Sequence, residues 1–564
     1  MKFSEYLYER PNMDEAKSIF ADQLAKFEAA TSAEEQNTVI AEINKVRSKF
    51  ESLGAIAQIR HTIDTRDGFY EKEQAFLDEQ MPHYEKLISD FYKALIGSKF
   101  RSELEAQWGE QLFNLAEMQI KSFDEKIIGD LQNENKLATE YQKLMAAAKI
   151  PFQGEERTLA QMVPFMKDKD REVRKAASLA YFGYFEENEA KFDDLYDQLV
   201  KIRHEIALKL GYDNFVPLGY MRMMRSDYGA PEVANYRKQV LESLVPLSQE
   251  LRQRQQKRLG LDELQYFDEQ LVFTSGNPVP KGEPDWIVDQ GRQMYKEMSP
   301  ETHEFFSFMY DNELLDLVAK EGKAPGGYCS YISTEKAPFI FSNFNGTSGD
   351  VDVLTHEAGH AFQGYSSREL TVPEYAFPTY EACEIHSMSM EFFAWPWMEN
   401  FFKEDTDKYK FEHLSEALLF IPYGVTVDEF QHFVYENPNA TPDERKVKWR
   451  EIEKKYLPHR DYTDVPFLEK GTFWYKQMHI FGMPFYYIDY TLAQVCALQF
   501  WVKSREDKET AWADYLRLCQ AGGSQSFVNL VDYANLQNPF VDGTIKSVVE
   551  PVKQWLDKVD DTKL

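Results

Sequence analysis

The chain has 564 residues, a formal net charge of −30, and a composition that is 43% hydrophobic and 28% charged. Enough apolar chain is present to bury a large core, and the length suggests more than one structural lobe. An excess of 94 acidic over 64 basic residues repels phosphate backbones and anionic lipid, so neither nucleic acid nor a membrane is expected as a partner.

The first twenty residues, MKFSEYLYERPNMDEAKSIF, carry no basic segment followed by an apolar one, so no secretory signal is expected. No run of about 18 apolar residues occurs, so no spanning helix is expected either. Cys329, Cys383, Cys496 and Cys519 are far apart and form no CxxC. Such sparse use of cysteine fits a reducing cytoplasm.

Along the first 150 residues, stretches such as AKSIFADQLAKFEAATSAEEQNTVIAEINKVRSKFESL place apolar residues three and four apart, with Glu and Lys between them. That is the helical period, sustained over segments too long for strands. No fixed-period repeat is present, which argues against a solenoid. The same pattern continues through DREVRKAASLAYFGYFEENEAKFDDLYDQLVKIRHEIALKLGYDNF, residues 170–215, with Gly211 as a stop. Near residue 322 the texture changes. GKAPGGYCSYISTEKAPFIFSNFNGTSGD, 322–350, mixes Gly, Ser and Asn with β-prone runs and reads as the one strand-bearing region. Helices resume over 351–363 and 379–401 and continue to the end. The expected fold is mostly α, with one small sheet and an N-terminal helical lobe over 1–170, followed by a second unit over 171–564.

Three of the 11 histidines precede a glutamate: His204, His303 and His356. Four positions after each stand Leu208, Ser307 and His360, so only THEAGH, 355–360, completes an HExxH. Composition alone would generate one such match roughly 0.02 times in a chain of this length. Residues four apart share a helix face, so both imidazoles can reach one cation, while Glu357 stands one position round, near a metal-bound water. Val351, Leu354, Ala358 and Ala361 supply an apolar side, and Ser348 or Asp350 can cap the start. A catalytic zinc needs a third protein ligand. The compact form with a third histidine fails, because Ser366 occupies that position. Downstream, PTYEACEIHSMSMEFF, 378–393, sets Glu381, Glu384 and Glu391 on one stripe, with His386 on another face. Spacing leaves Glu381 and Glu384 equally placed.

HEAGH followed by this glutamate-bearing helix resembles the oligoendopeptidase F and thimet oligopeptidase family of zinc peptidases. In that family the third ligand opens a pattern of Glu, six residues, Glu, which maps to Glu384 and Glu391. The resemblance therefore implies a Zn²⁺ held by His356, His360 and Glu384, one per chain, with Glu391 and Glu381 behind it. RHEIALKLGYDNF, 203–215, and GGYCSYISTEKAPFIFSNFNGT, 326–347, are similar to the family's segment before the catalytic region and to its substrate-edge strand. Length and motifs come nearest to the bacterial Pz-peptidases, which act on collagen-derived oligopeptides. HIFGMPFYYIDY, 479–490, matches a block that supplies donors to the reacting carbonyl, implying roles for His479, Tyr487 and Tyr490. It is one residue short between the histidine and the first tyrosine, so Tyr486 and Tyr487 both remain candidates.

Together these imply a large, two-lobed helical metallopeptidase with a deep channel, cutting internal bonds of short peptides in the cytoplasm without an obligate protein partner. Glu357 is expected to be the general base. Strand 338–345 can hold a peptide by main-chain pairing, or can be an ordinary sheet strand filled by Phe339, Phe341 and Phe344. Two alternatives stand beside the endopeptidase: a metallocarboxypeptidase or dipeptidyl carboxypeptidase, and a non-enzymatic peptide-binding scaffold with a relict zinc site. A cationic clamp for a substrate carboxylate would mark the first, and the sequence singles none out among 64 Lys and Arg. The intact Glu357 argues against the second.

Overall fold

Asn12, Ser32 and Asp67 each accept main-chain N–H bonds and so start the helices Met13–Ala29, Ala33–Ile63 and Gly68–Ile96. In the computed structural model, which describes residues 1–320, 322–324, 326–462 and 464–564, these helices pack with Arg101–Trp108 and Glu110–Ser122. Phe20, Ile40, Ile43, Phe91, Leu104 and Phe113 form their shared core, and Val372 and Tyr375 enter it from far along the chain. Leu137 and Tyr141, on the next helix, Ile128–Ala146, belong instead to the main core. No helix among the described residues is long and apolar enough to cross a membrane.

The mostly helical fold expected is present, but strands occur outside 322–350 as well. Ile150–Phe152 pairs antiparallel with Glu155–Arg157 across Gln153 and Gly154, whose φ values of 50° and 82° make the tight turn that joins a two-residue hairpin. Leu315–Val318 adds a third strand to the main sheet. Residues 170–215 form Arg171–Glu187 and Glu189–Lys209, ending where Gly211 turns left-handed at φ 89°.

In the three-stranded sheet, Ala337–Phe344 lies in the middle, parallel to Leu315–Val318 and antiparallel to Tyr328–Ile332. Both of its edges are therefore occupied, which removes it as a site for peptide pairing. Phe339, Phe341 and Phe344 are core residues. The strand at the sheet's edge beside the motif is Tyr328–Ile332.

The motif helix runs Gly349–Ser366. Asp350 accepts N–H bonds from Asn345 and Gly346 at 2.8 and 2.7 Å, ordering the turn before it, while Ser348 makes no side-chain cap bond. The second glutamate helix spans Tyr380–Phe393 and stops earlier than the predicted 401, with Pro396 in the 3-10 turn that follows. These two helices touch backbone to backbone. A Cβ on Gly359 would lie 2.6 Å from both His386 O and Ser387 Cα.

Gly359→Ala should therefore overpack the contact and lower stability by about 1–3 kcal/mol in urea unfolding. Gly54→Ala is the control: nothing lies within 4 Å of its added Cβ, and alanine favours the helix. Equal stability of Gly359→Ala and the wild type would show that the helices separate freely.

Candidate active site

One turn of helix separates His356 from His360, and the Gly359 contact fixes what the pair faces. Glu384 Oε2 lies 3.3 Å from His356 Nε2 and 3.5 Å from His360 Nε2. All three donor atoms fall within 4.8 Å of one another. Donors about 2.0–2.1 Å from a tetrahedral zinc stand about 3.3 Å apart, so two nitrogens and one carboxylate oxygen have the spacing and the chemistry to hold that ion. Glu381, one turn earlier, is turned elsewhere: its Oε1 accepts from Tyr228 OH at 3.1 Å. Burial and the neighbouring Asp489 push its carboxyl pKa up. His386 is fully buried and neither ring nitrogen has a partner; burial pushes its pKa down to about 4.

A chain of hydrogen bonds fixes the tautomers. Trp395 Nε1 can only donate, and it lies 3.0 Å from His413 Nδ1, which must accept. His413 Nε2–H then donates to Glu391 Oε2 at 2.7 Å. Glu391 Oε1 accepts from His356 Nδ1–H, also at 2.7 Å, which turns the ring's other nitrogen, Nε2, to Glu384. Ser387 Oγ donates to Glu384 Oε2 at 3.0 Å, and Tyr486 OH to Oε1 at 3.0 Å.

Glu357 stands apart from this network. It is buried, and its Oε2 has no hydrogen-bond partner. Burial raises its carboxyl pKa, partly offset by the two imidazoles. It opens onto a cavity of about 700 Å³ shared with His356, His360, Glu384, Gly327, Tyr328 and Cys329. Helices of the N-terminal cluster close the opposite wall through Tyr92, Gln111, Leu115 and Gln119. Ties between the halves hold that wall in place: Arg47 pairs with Glu374 at 2.7 Å, Tyr92 bonds the same carboxylate, and Thr62 meets Tyr328 at 2.6 Å.

The structure separates the two adjacent tyrosines left open above. Tyr486 and Tyr490 line the Glu357 cavity, with ring centroids 4.9 Å apart. Tyr487 lines a second cavity, of about 530 Å³, and packs on Phe420 and Tyr423. The cause is the turn before them. Phe485 has φ 70°, a conformation disfavoured for a large side chain. It is held there because its N–H donates to Gln431 Oε1 at 2.9 Å and its carbonyl accepts from Arg225 at 2.5 Å. Arg225 is itself locked to Asp489 at 2.6 Å, with both side chains fully buried. His479 sits 5.6 Å from the Tyr486 ring and 5.7 Å from that of Tyr490, between centroids. Gln477 Nε2 donates to its Nδ1 at 2.9 Å, while Tyr423 OH holds the Gln477 carbonyl at 3.0 Å, so His479 Nε2 carries the proton. Burial lowers its pKa to about 4, and it is neutral at pH 7. Trp395, His413, Gln431, Gln477, Arg225 and Asp489 carry no motif spacing, and only contact across the fold reveals them.

Two family models match the chain: the peptidase M3 N-terminal domain over residues 3–123, and peptidase family M3 over 294–550. An oligoendopeptidase F homolog from Borreliella burgdorferi is 24% identical over 454 residues, covering 76% of this chain and 72% of that protein. A solved structure of Pz peptidase A with an inhibitor is 59% identical, with a TM-score of 0.95 and both chains covered in full. A putative oligoendopeptidase F from Bacillus anthracis is 58% identical, with a TM-score of 0.91 over 100% of this chain and 99% of that one.

Glu384→Gln should weaken metal retention far more than Glu381→Gln, read as zinc content after dialysis against a chelator series. His413→Ala removes a support behind His356 and should lower metal affinity by about 10–100-fold. The reverse ranking of Glu381 and Glu384 would mean that the donor set is misassigned.

Proposed function

The chain belongs to peptidase family M3, and from that premise we propose that it is a zinc endopeptidase hydrolysing internal bonds of short peptides in the cytoplasm. The carrying observation is Glu357: a buried carboxylate with no partner, aimed into a cavity beside three converging ligand atoms. A structural metal site has no use for such a group.

His356, His360 and Glu384 would hold the ion. Zinc bound there supplies a Lewis acid that acidifies water and polarises a carbonyl. Glu357 takes the proton of the attacking water and delivers it to the leaving amine, and its raised pKa suits a group that must both accept and release. Burial keeps the Tyr490 phenol protonated, and His479 keeps its Nε2 proton, so both can donate where negative charge develops on the carbonyl oxygen, whereas the single Tyr486 proton can do so only by leaving Glu384. Tyr486 also holds Glu384, which gives it a second task. Tyr487 is assigned no donor role, because it faces the other cavity.

The edge strand Tyr328–Ile332 is the place for an extended peptide, since Gly327, Tyr328 and Cys329 border Glu357. A site roofed by the N-terminal helices admits unfolded segments and refuses folded domains. Collagen-derived peptides, extended and narrow, are substrates of that kind.

Glu357→Gln should retain zinc and fold while losing nearly all turnover; ordinary turnover would remove Glu357 from the mechanism. On a peptide blocked at both ends, mass spectrometry should find internal cleavage, whereas an exopeptidase would leave it intact. Tyr490→Phe should lower kcat by about 10²–10³ with little change in KM. Tyr486→Phe should lower kcat and also loosen zinc, while Tyr487→Phe should stay within a few-fold of wild type. A large loss at Tyr487 alone would reverse the assignment of these tyrosines.

A further inference from the structure

The second cavity holds four cationic residues on its walls: Lys167, Arg252, Arg460 and Lys476. Two of them are neutralised. Glu269 lies 2.9 Å from Arg460 and 3.6 Å from Arg252, and Arg460 also meets Glu453 at 3.4 Å. Lys167 is exposed. Lys476 differs from all three. It is largely enclosed by protein, and no hydrogen-bond or ion-pair partner is present for its ammonium among the described residues. Its ammonium lies over the Phe473 ring, 4.1 Å from Nζ to centroid.

A largely enclosed ammonium without a paired carboxylate is costly to keep charged. Partners were not scarce. The chain has 94 acidic residues, and Asp352, Glu412 and Glu416 line this same cavity without pairing with Lys476, while Glu269 and Glu453 act on it only from a distance and are paired with Arg460. Burial, with Arg460 adding to it, lowers the lysine pKa to about 8, so the group remains mostly charged at pH 7. The next residue, Gln477, lines the cavity too and bonds His479, which stands beside Tyr486 and Tyr490. Three residues of chain thus connect the unpaired cation with the group that would meet the reacting carbonyl.

We propose that Lys476 anchors a subsite for a peptide carboxylate, taking the free C-terminal carboxylate of an oligopeptide while the bond to be cut lies at Glu357. The inference rests on the endopeptidase reading and deepens it: Lys476 lines a different cavity from Glu357, so this is not the clamp beside the cut bond that would mark an exopeptidase. Binding supplies the counter-ion that the protein withholds, and the Phe473 face supports the cation from behind. It also gives the enzyme a measure of length: a chain end held inside the molecule is one that had to enter it. An acidic side chain near that end carries the same chemistry.

The test uses zinc-loaded enzyme and one N-terminally blocked peptide, prepared as the free acid and as the C-terminal amide. A charge-assisted hydrogen bond in a partly enclosed site should make KM for the acid about tenfold lower than for the amide. In Lys476→Met the KM ratio should fall to near one, with the ratio of kcat values unchanged, and Lys476→Arg should restore part of the preference. Thermal melts and zinc content establish that each variant is folded and loaded. A third substrate, the amide ending in Glu instead of Gln, tells which carboxylate fills the site: recovered affinity there assigns it to side chains as well. Equal KM for acid and amide in the wild type overturns the subsite while leaving the peptidase reading intact. A preference that survives Lys476→Met assigns the carboxylate to another cation and overturns the role of Lys476. Cleavage of neither substrate would bring down the endopeptidase reading, and this inference with it.

Discussion

Everything at the site depends on how closely two helices approach at Gly359. Without a side chain there, the motif helix lies against the backbone at His386 and Ser387, and this sets both the distance and the axial position of the glutamate helix. Glu384 then arrives at 3.3 and 3.5 Å from two imidazole nitrogens. A slide of one turn would bring Glu381 there instead. The contact is repulsive if overfilled and has no slack to take up, so it acts as a ruler rather than as adhesive.

Rigidity behind the ligands comes from hydrogen bonds whose direction is forced. An indole donates and cannot accept, so the Trp395 end of the chain dictates the proton on His413, and His413 in turn leaves Glu391 to accept from His356. Nε2 of His356 is thereby the ring nitrogen turned toward Glu384. On the other side the Arg225–Asp489 pair, with Gln431, holds Phe485 in a left-handed turn and so decides which tyrosines face the cavity. Both devices are buried, where charge-assisted bonds weaken little in salt.

Much of this was legible beforehand, and the limits have physical causes. HExxH is a statement about helical period, so His356, Glu357 and His360 could be placed from spacing alone. Glu381 and Glu384 are three apart on one face, and period cannot rank them; the translation set by Gly359 can. Tyr486 and Tyr487 are neighbours whose directions differ by a helical step, and that step depends on the φ of Phe485, which no residue pattern announces. From sequence, strand 338–345 could equally hold a peptide or fill a sheet interior, because its neighbours come from chain topology. Its two partners close both edges and pass the exposed edge to 328–332. The short hairpin at 150–157 was missed because three-residue strands have no period to detect.

The balance of charge at the centre ties metal, base and substrate together. Glu357, Glu384 and Glu391 converge in a buried place, and the two imidazoles beside them offset that charge only in part. Burial raises the pKa of Glu357, and Glu384 and Glu391 add to the rise. A divalent cation on His356, His360 and Glu384 would relieve most of the repulsion and leave Glu357 as the one carboxylate not spent on holding something. At the second cavity the imbalance eases at Lys476, a cation with no direct ion-pair partner among the described residues. A peptide brings its own charges to such a surface: a carbonyl that turns anionic as it reacts, and a carboxylate at its end. With an ion on that donor set, the acidic exterior and the two inward-facing cations would work in the same sense, stabilising negative charge on a substrate only once it is inside.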